Sequence, residues 1–307
     1  MLAIVIPYYK KAFFAETLSS LAAQTDKRFR LYIGDDSSPE NPESEIGKYE
    51  SEIPIHFKKF HENVGGKNLP SQWKRCLDLL ADEDWVLVLG DDDVLDPNVV
   101  EAFYDKLAKN PKVDVMRFAT QKIDASSVAT SPVYLHPELE TSRDFLFRES
   151  RSSLSEYVFR TEKLLENNFR ELPLGWYSDV LAVLEVSGFG NVLTINDATV
   201  NVRISSQSIS GSPAHGKQKL EARAIYYKLL CDNYLEKFLP WQQVLLFEKL
   251  DKTYLIRKSN WRLLLQIIAL YLRKGRVRQL FSFLSKVVKA VVRNVLGIKN
   301  KVHTICV

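Results

Sequence analysis

The chain is poor in cysteine, with Cys76, Cys231 and Cys306 as its three thiols among 307 residues. They lie far apart and form neither a CxxC pair nor a metal-ligand spacing. That excludes a disulfide framework and a zinc ribbon, and it favours a reducing compartment. No apolar run reaches the length a spanning helix needs, so no transmembrane segment is expected. Glycine-rich phosphate loops are missing too: neither GxGxxG nor GxxxxGK[ST] follows an apolar run, which argues against Rossmann dehydrogenases and P-loop NTPases. The N-terminus opens directly on Leu2-Ala3-Ile4-Val5-Ile6 without a basic n-region or a small-residue cleavage site, so no secretory signal is expected. Acid is the scarcest ingredient at the other end: from Asp251 to Val307, Asp251 is the one acid against 13 Lys and Arg.

What is present suits a globular protein. Hydrophobic residues make up 46% and charged residues 26%, and the length exceeds one typical domain. Net charge is a mild +4, so the basic tail follows an acidic body. That asymmetry suggests a polyanionic partner such as a membrane surface.

As far as about residue 120 the pattern alternates between strand and helix. Leu2–Ile6 is a short apolar run stopped by Pro7, as in a buried parallel strand. Phe14, Thr17, Leu18, Leu21 and Ala22 recur at helical spacing. Phe29–Ile33 is a second strand running into Gly34-Asp35-Asp36-Ser37-Ser38, and Ile53–Phe60 alternates as a third. Trp73, Cys76, Leu77 and Leu80 share one helical face. Trp85–Leu89 is a fourth, fully apolar strand ending at Gly90-Asp91-Asp92-Asp93. Asp96-Pro97 then offers an N-cap and first-turn proline for a helix carrying Val99, Val100, Phe103 and Leu107. This alternation predicts an α/β fold with a mainly parallel sheet flanked by helices.

In such sheets ligands bind beyond the carboxyl ends of the strands. Pro7-Tyr8-Tyr9, Asp35-Asp36 and Asp91-Asp92-Asp93 all fall at those ends. Three adjacent carboxylates repel one another unless a cation sits among them, and hard oxygen ligands suit Mg²⁺ or Mn²⁺. The competing reading is a solvated acidic turn.

Ile4-Val5-Ile6-Pro7-Tyr8-Tyr9-Lys10 resembles the opening strand and loop of family 2 glycosyltransferases. Gly34-Asp35-Asp36-Ser37-Ser38 is similar to their V-D-D-x-S turn, and Trp85–Pro97 to their metal segment. Asn63-Val64-Gly65-Gly66-Lys67-Asn68 and Gln72-Trp73-Lys74-Arg75-Cys76-Leu77 fit the segment and helix between. The resemblance covers roughly residues 1–212. It implies a GT-A fold and an inverting, metal-dependent transfer from a UDP-, GDP- or dTDP-linked sugar. Nucleotide-sugar contacts are expected in residues 1–120 and acceptor contacts in residues 121–212.

Carried over, the pattern gives Asp36 the base of the nucleotide, with Asp35 shaping the turn. Pro7 and Tyr8 lie against base and ribose, and Asp91 near the ribose. Asp92 ligates the metal, with Asp93 as the rival if Asp91-x-Asp93 is the literal motif. Lys67 stands near the phosphates or is a solvated loop lysine. Arg203, which opens a stretch resembling the family's terminal R-x-h-x-x-S-x-S loop, faces the phosphates or pairs with an acid. Three departures stand out: Lys10 replaces the family's Asn, Gly90 occupies the first acidic position of the commonest D-x-D-D pattern, and Arg203-Ile204-Ser205 lacks the histidine that often follows this arginine.

Inversion needs a base on the face of the sugar opposite the leaving diphosphate, and a carboxylate is ionised near neutral pH without special tuning. The resemblance places that base in Leu172–Asp179, on Asp179, with Glu185 as second choice.

Residues 213–307 contain little Gly or Pro and read as helices. Leu280, Leu284, Val287, Val288, Val291 and Val295 form an apolar stripe opposite Lys286, Lys289 and Arg293. This suits peripheral membrane contact through residues 261–296, at the cytoplasmic, inner face of a membrane. The expected acceptor is a hydroxyl of a glycan or lipid-linked saccharide. Nucleic acid is not an expected partner, since no recognition motif accompanies the basic residues. The rival readings are a nucleotidyltransferase of sugar phosphates and a non-catalytic, membrane-tethered module.

Overall fold

The computed structural model describes residues 1–148, 152–205, 208, 213–258 and 260–295, with the side chains of Pro213, Asn294 and Val295 left aside. The chain divides at Gly216 into two compact units.

The first unit runs, in chain order, β1 (Leu2–Tyr8), α1 (Phe14–Ala22), β2 (Phe29–Asp35), α2 (Glu43–Ile46), β3 (Ile55–Lys59), α3 (Leu69–Leu77), β4 (Trp85–Val88), β5 (Val94–Leu95) and α4 (Val99–Lys109). It continues with β6 (Val115–Ile123), β7 (Leu139–Thr141), α5 (Ser142–Phe145), β8 (Tyr157–Arg160), α6 (Thr161–Asn167), α7 (Ser178–Val186) and β9 (Asn191–Arg203). Its strands form one sheet in the order β3-β2-β1-β4-β8-β6-β9-β5, with β7 pairing to β9.

The expected parallel half is there: β1 pairs in parallel with β2 and β4, and β2 with β3. The other half is mixed. β8 is antiparallel to both β4 and β6, and β5 and β7 are antiparallel to β9, whereas β6 and β9 run parallel. Local pattern does not reveal this, because a buried antiparallel strand such as β8 reads as the same short apolar run as a parallel one.

Apolar side chains fill both faces of the sheet. On one, Ile4, Ile6, Leu31, Ile33 and Leu87 pack with Phe14, Leu18, Val100 and Phe103 of α1 and α4. On the other, Ala3, Val5, Val86 and Val88 meet Trp73, Cys76, Ala182 and Val183 of α3 and α7. β2 approaches α3 closely because Gly34 has no side chain: a Cβ there would collide with the Cys76 sulfur.

One expected boundary moves. Asp96 does not cap α4. The helix starts at Val99 after Asn98, with no side-chain cap, while Asp96 Oδ1 accepts a 2.8 Å hydrogen bond from Asn201 of β9.

The second unit is helical: α8 (Gly216–Asn233), α9 (Pro240–Ile256), α10 (Trp261–Arg273) and α11 (Val277–Val295). The single stripe read on α11 divides in two. Leu280 and Val287 are buried together with Phe283, whereas Phe281, Val288, Val291 and Val292 are exposed. Among the described residues no helix is long and apolar enough to cross a membrane.

Candidate active site

The parallel pairing aligns the ends of β1 and β2, with Pro7 opposite Gly34 and Tyr8 opposite Asp35. Beyond them the Asp36 N–H donates to the Tyr8 carbonyl at 3.0 Å. Tyr8 itself is fully buried, its ring 4.6 Å from that of Phe14 and its hydroxyl bonded to the Glu40 carbonyl. The ring therefore belongs to the core.

Asp36 is the centre of a cluster of hydrogen bonds. Oδ1 accepts from the Val64 N–H at 2.8 Å and Oδ2 from the Gly65 N–H at 2.9 Å. Arg75 of α3 closes an ion pair on Oδ1 and lies 4.0 Å over the Phe60 ring. Gly65 is required by the close approach, since a Cβ would sit 2.6 Å from Asp36 Oδ2. Burial raises the Asp36 pKa, and the two backbone bonds and Arg75 pull it back. Arg75 carried no role in the sequence reading; its spacing of three from Gln72, which also bonds it, is the one local hint. Asp35 is wholly buried, with Oδ1 accepting from the Ser38 N–H at 2.7 Å and Lys59 3.9 Å from Oδ2. Lys67 lies exposed on the loop that wraps Asp36.

The acidic turn after β4 separates its three carboxylates. Asp91 Oδ2 accepts from the Tyr9 and Lys10 N–H groups, each at 2.8 Å, and so ties the turn to the loop after β1. Asp93 is buried, accepting from the Arg203 N–H at 2.9 Å on Oδ1 and from the Ser155 hydroxyl on Oδ2. Ser155 in turn receives the Gly90 N–H at 3.1 Å. Nothing in the local sequence announced Ser155, because it comes from a 3-10 turn, Leu154–Glu156, 62 residues away. No hydrogen bond to the Asp92 carboxylate is seen among the described residues. Its pKa is pushed well above the ordinary carboxylate range by burial first, then by Asp93 and Asp91.

That environment fits a divalent cation. A carboxylate raised by desolvation and like charge is one whose ionised form a cation would stabilise. Mg²⁺ and Mn²⁺ sites commonly use one or two protein carboxylates and complete the shell with phosphate oxygens and water. Among the described residues no group of three or more His, Cys, Asp or Glu side chains is arranged to hold a metal ion.

Arg203 is 2% exposed and pairs with Glu16 at 2.8 Å. Of the loop it opens, Ser206, Gln207 and Ile209–Ser212 lie outside the described residues.

In the half expected to meet the acceptor, Asp179 stands half-buried in the first turn of α7, where the helix dipole favours a negative charge. Its charge helps raise the pKa of the Tyr157 hydroxyl, after burial and Glu156, which puts it in electrostatic reach of the strand that follows Ser155. The approach to α7 is strained: Leu174 (φ 61°), Gly175 (φ 66°) and Tyr177 (φ 71°) are all left-handed. Such strain at non-glycine residues persists where surrounding structure over-determines it, and it clusters at functional sites. Here Gly175 packs directly on Trp73 and the Ser178 hydroxyl donates to the Arg170 carbonyl at 2.7 Å. Glu185 is buried and paired with Arg170 at 3.0 Å, which gives it a structural partner within its own segment.

Comparison with known proteins agrees with this geometry. An uncharacterized glycosyltransferase of Haemophilus influenzae is 24% identical over 194 residues, which is 55% of this chain and 64% of that protein. The chain thus spans under two thirds of that relative. Among solved structures, residues 1–349 of S. aureus TarS in complex with UDP-GlcNAc superpose with a TM-score of 0.62 at 17% identity, covering 94% of this chain and 81% of that one. GalNAc-T7 with UDP, GalNAc and Mn²⁺ gives 0.52 at 11% identity, covering 78% and 52%. These similarities identify the fold as the GT-A type. The family model for glycosyl transferase family 2 matches residues 3–161, so the chain belongs to glycosyl transferase family 2.

Proposed function

We propose that the first unit transfers a sugar from a UDP-linked donor, with inversion, to a hydroxyl of a glycan or lipid-linked saccharide. The observation that carries this reading is the Asp36–Arg75 pair at the end of β2. A carboxylate acceptor beside a guanidinium donor complements an N–H next to a carbonyl, the edge that uracil shares with thymine and guanine. The choice of uracil among these rests on TarS and GalNAc-T7. Cytosine would set its N3 acceptor against the carboxylate and leave a buried group unpaired, a mismatch that is strongly rejected. That TarS was solved with UDP-GlcNAc and GalNAc-T7 with UDP supports the same choice.

In this reading Asp92 would hold a Mn²⁺ or Mg²⁺ ion, which would supply positive charge to offset that of the leaving diphosphate. Asp179 takes the proton of the acceptor hydroxyl as its oxygen bonds to the sugar's C1. The bond from C1 to the diphosphate oxygen breaks on the opposite face, and its electron pair leaves with the UDP. The strained loop before α7 holds Trp176 and Tyr177 beside that base.

The helical unit supports a peripheral position on the inner, cytoplasmic face of a membrane. Trp261, Leu265 and Leu272 of α10 and Phe281, Val288, Val291 and Val292 of α11 are exposed apolar residues. Neither helix contains an acid, and Arg262, Arg273, Lys286, Lys289 and Arg293 accompany those side chains. Apolar insertion combined with a basic face suits anionic headgroups.

The test is calorimetric titration with UDP, GDP, dTDP and CMP, each with and without Mn²⁺. UDP is expected to bind with a metal-dependent affinity that Asp92→Ala removes. Asp179→Asn should keep that affinity while turnover falls by about 10²–10⁴. Absence of nucleotide binding, or preference for GDP or CMP, would overturn the assignment.

A further inference from the structure

Arg203 meets three separate segments of the first unit: Phe13 and Glu16 at the start of α1, Asp92 and Asp93 of the acidic turn, and Asp124 and Ser127 after β6. Its side chain is fully buried. Nε donates to the Asp92 carbonyl at 2.9 Å and Nη1 to the Asp124 carbonyl at 2.7 Å. Nη2 donates to Glu16 Oε2 at 2.8 Å and to the Ser127 hydroxyl at 3.0 Å. The guanidinium carbon lies 4.3 Å over the Phe13 ring, and the Arg203 backbone N–H bonds Asp93 Oδ1. Ser127, held in a left-handed conformation, also bonds Glu16.

These contacts use four of the five N–H groups a guanidinium carries. With so few donors left and no exposure, Arg203 is badly placed to meet a diphosphate. It is well placed for another task. The acidic turn is held through the Asp91 carboxylate by the loop after β1, through the Asp91 carbonyl by the Thr17 hydroxyl at 3.3 Å, and through the Asp93 carboxylate by Ser155. The Asp92 backbone, which carries the carboxylate assigned to the metal, is fastened by Arg203 through its carbonyl.

We infer that Arg203 is a positioning residue for the cation site: it binds neither donor nor metal, but fixes the main chain of Asp92 so that its carboxylate is aimed. This deepens, and rests on, the reading of Asp92 as the metal carboxylate. Groups that orient a metal ligand from behind contribute about 10–100-fold to metal affinity. A lysine would keep the charge but not the planar fork that reaches two carbonyls, a carboxylate and a hydroxyl together.

The test compares Arg203→Lys with Glu16→Gln, which leaves both carbonyl contacts of the guanidinium in place and weakens one anchor. Mn²⁺ affinity is read from the free-ion EPR signal in the presence of UDP, and UDP affinity is read separately by calorimetry in EDTA. Arg203→Lys is expected to weaken Mn²⁺ binding about tenfold or more, Glu16→Gln to weaken it less, and both to leave metal-free UDP affinity unchanged. Folding is checked by the thermal midpoint; if Arg203→Lys does not fold, Glu16→Gln decides alone. Unchanged Mn²⁺ affinity in a folded variant would overturn the inference. So would a loss of metal-free UDP affinity in Arg203→Lys, which would mean direct contact with the donor. Asp92→Ala separates the two readings: if it keeps Mn²⁺ binding, the metal assignment itself fails; if it loses binding while the other variants keep it, only the positioning role fails.

Discussion

Replacing Gly175 with alanine perturbs the loop before α7 while leaving the residues proposed to bind the donor in place. Gly175 sits at φ 66°, and a Cβ there would stand 2.7 Å from Trp73 Cη2 and 3.2 Å from Cζ2. Trp73 has little room to retreat, being 8% exposed with its ring 5.1 Å from Phe169 in an edge contact. The left-handed backbone costs an alanine about 1 kcal/mol, and relieving the overlap in a packed core costs about 1–3 kcal/mol more. The expected loss is therefore about 2–4 kcal/mol, a fall in Tm of roughly 5–15 °C for a unit of this size. Denaturant unfolding measures it, and Trp73→Phe separates its parts. With the larger ring gone, the cost of Gly175→Ala should shrink to the backbone component of about 1 kcal/mol. UDP affinity should stay unchanged while turnover falls, because the loop leads directly to Asp179. An equal cost in both backgrounds would show that the ring is not what the methyl meets. A cost below about 0.5 kcal/mol would refute the left-handed backbone as well.

Two further outcomes can be checked on the helical unit. Trp261→Asp with Phe281→Asp, both at sites more than 60% exposed, should abolish co-sedimentation with anionic vesicles and leave UDP binding intact; a wild-type chain that ignores such vesicles would sink the membrane reading. Asp251 is buried, both carboxylate oxygens lie 3.1 Å from the Tyr271 hydroxyl, and burial pushes its pKa from 3.8 up to about 7. Because the fold favours the protonated acid, this stabilising contribution is fully present below about pH 4 and is lost as pH rises through about 7. The whole effect amounts to about 4 kcal/mol at most. Asp251→Asn, which cannot ionise, should flatten that part of the stability-versus-pH curve by calorimetry; an unchanged slope would refute it.

Much of the half proposed to bind the donor was legible in the sequence. β1, β2 and β4 are apolar runs ending in turn chemistry, and parallel pairing then has to bring Pro7, Asp35–Asp36 and Asp91–Asp93 to one edge. Resemblance placed Asp179 at a helix start, and α7 begins at Ser178. What stayed hidden depends on contacts between distant parts of the chain. The three aspartates of the acidic turn are chemically identical in sequence, yet Tyr9 and Lys10 engage Asp91 and Ser155 engages Asp93, and it is the Asp92 carboxylate that the proposed function gives to a cation. Arg203 could be read as a phosphate ligand or as the partner of an acid; only Glu16, Asp92 and Asp124 converging on its guanidinium show where its donors go. The α11 stripe was visible by periodicity, which tells apolar from polar but not which apolar residues the neighbouring helices cover. Local pattern thus determined the elements and the chemistry at their ends. Tertiary structure decided which of those groups are already bonded, because a buried polar group must find its partner wherever the fold brings one within reach.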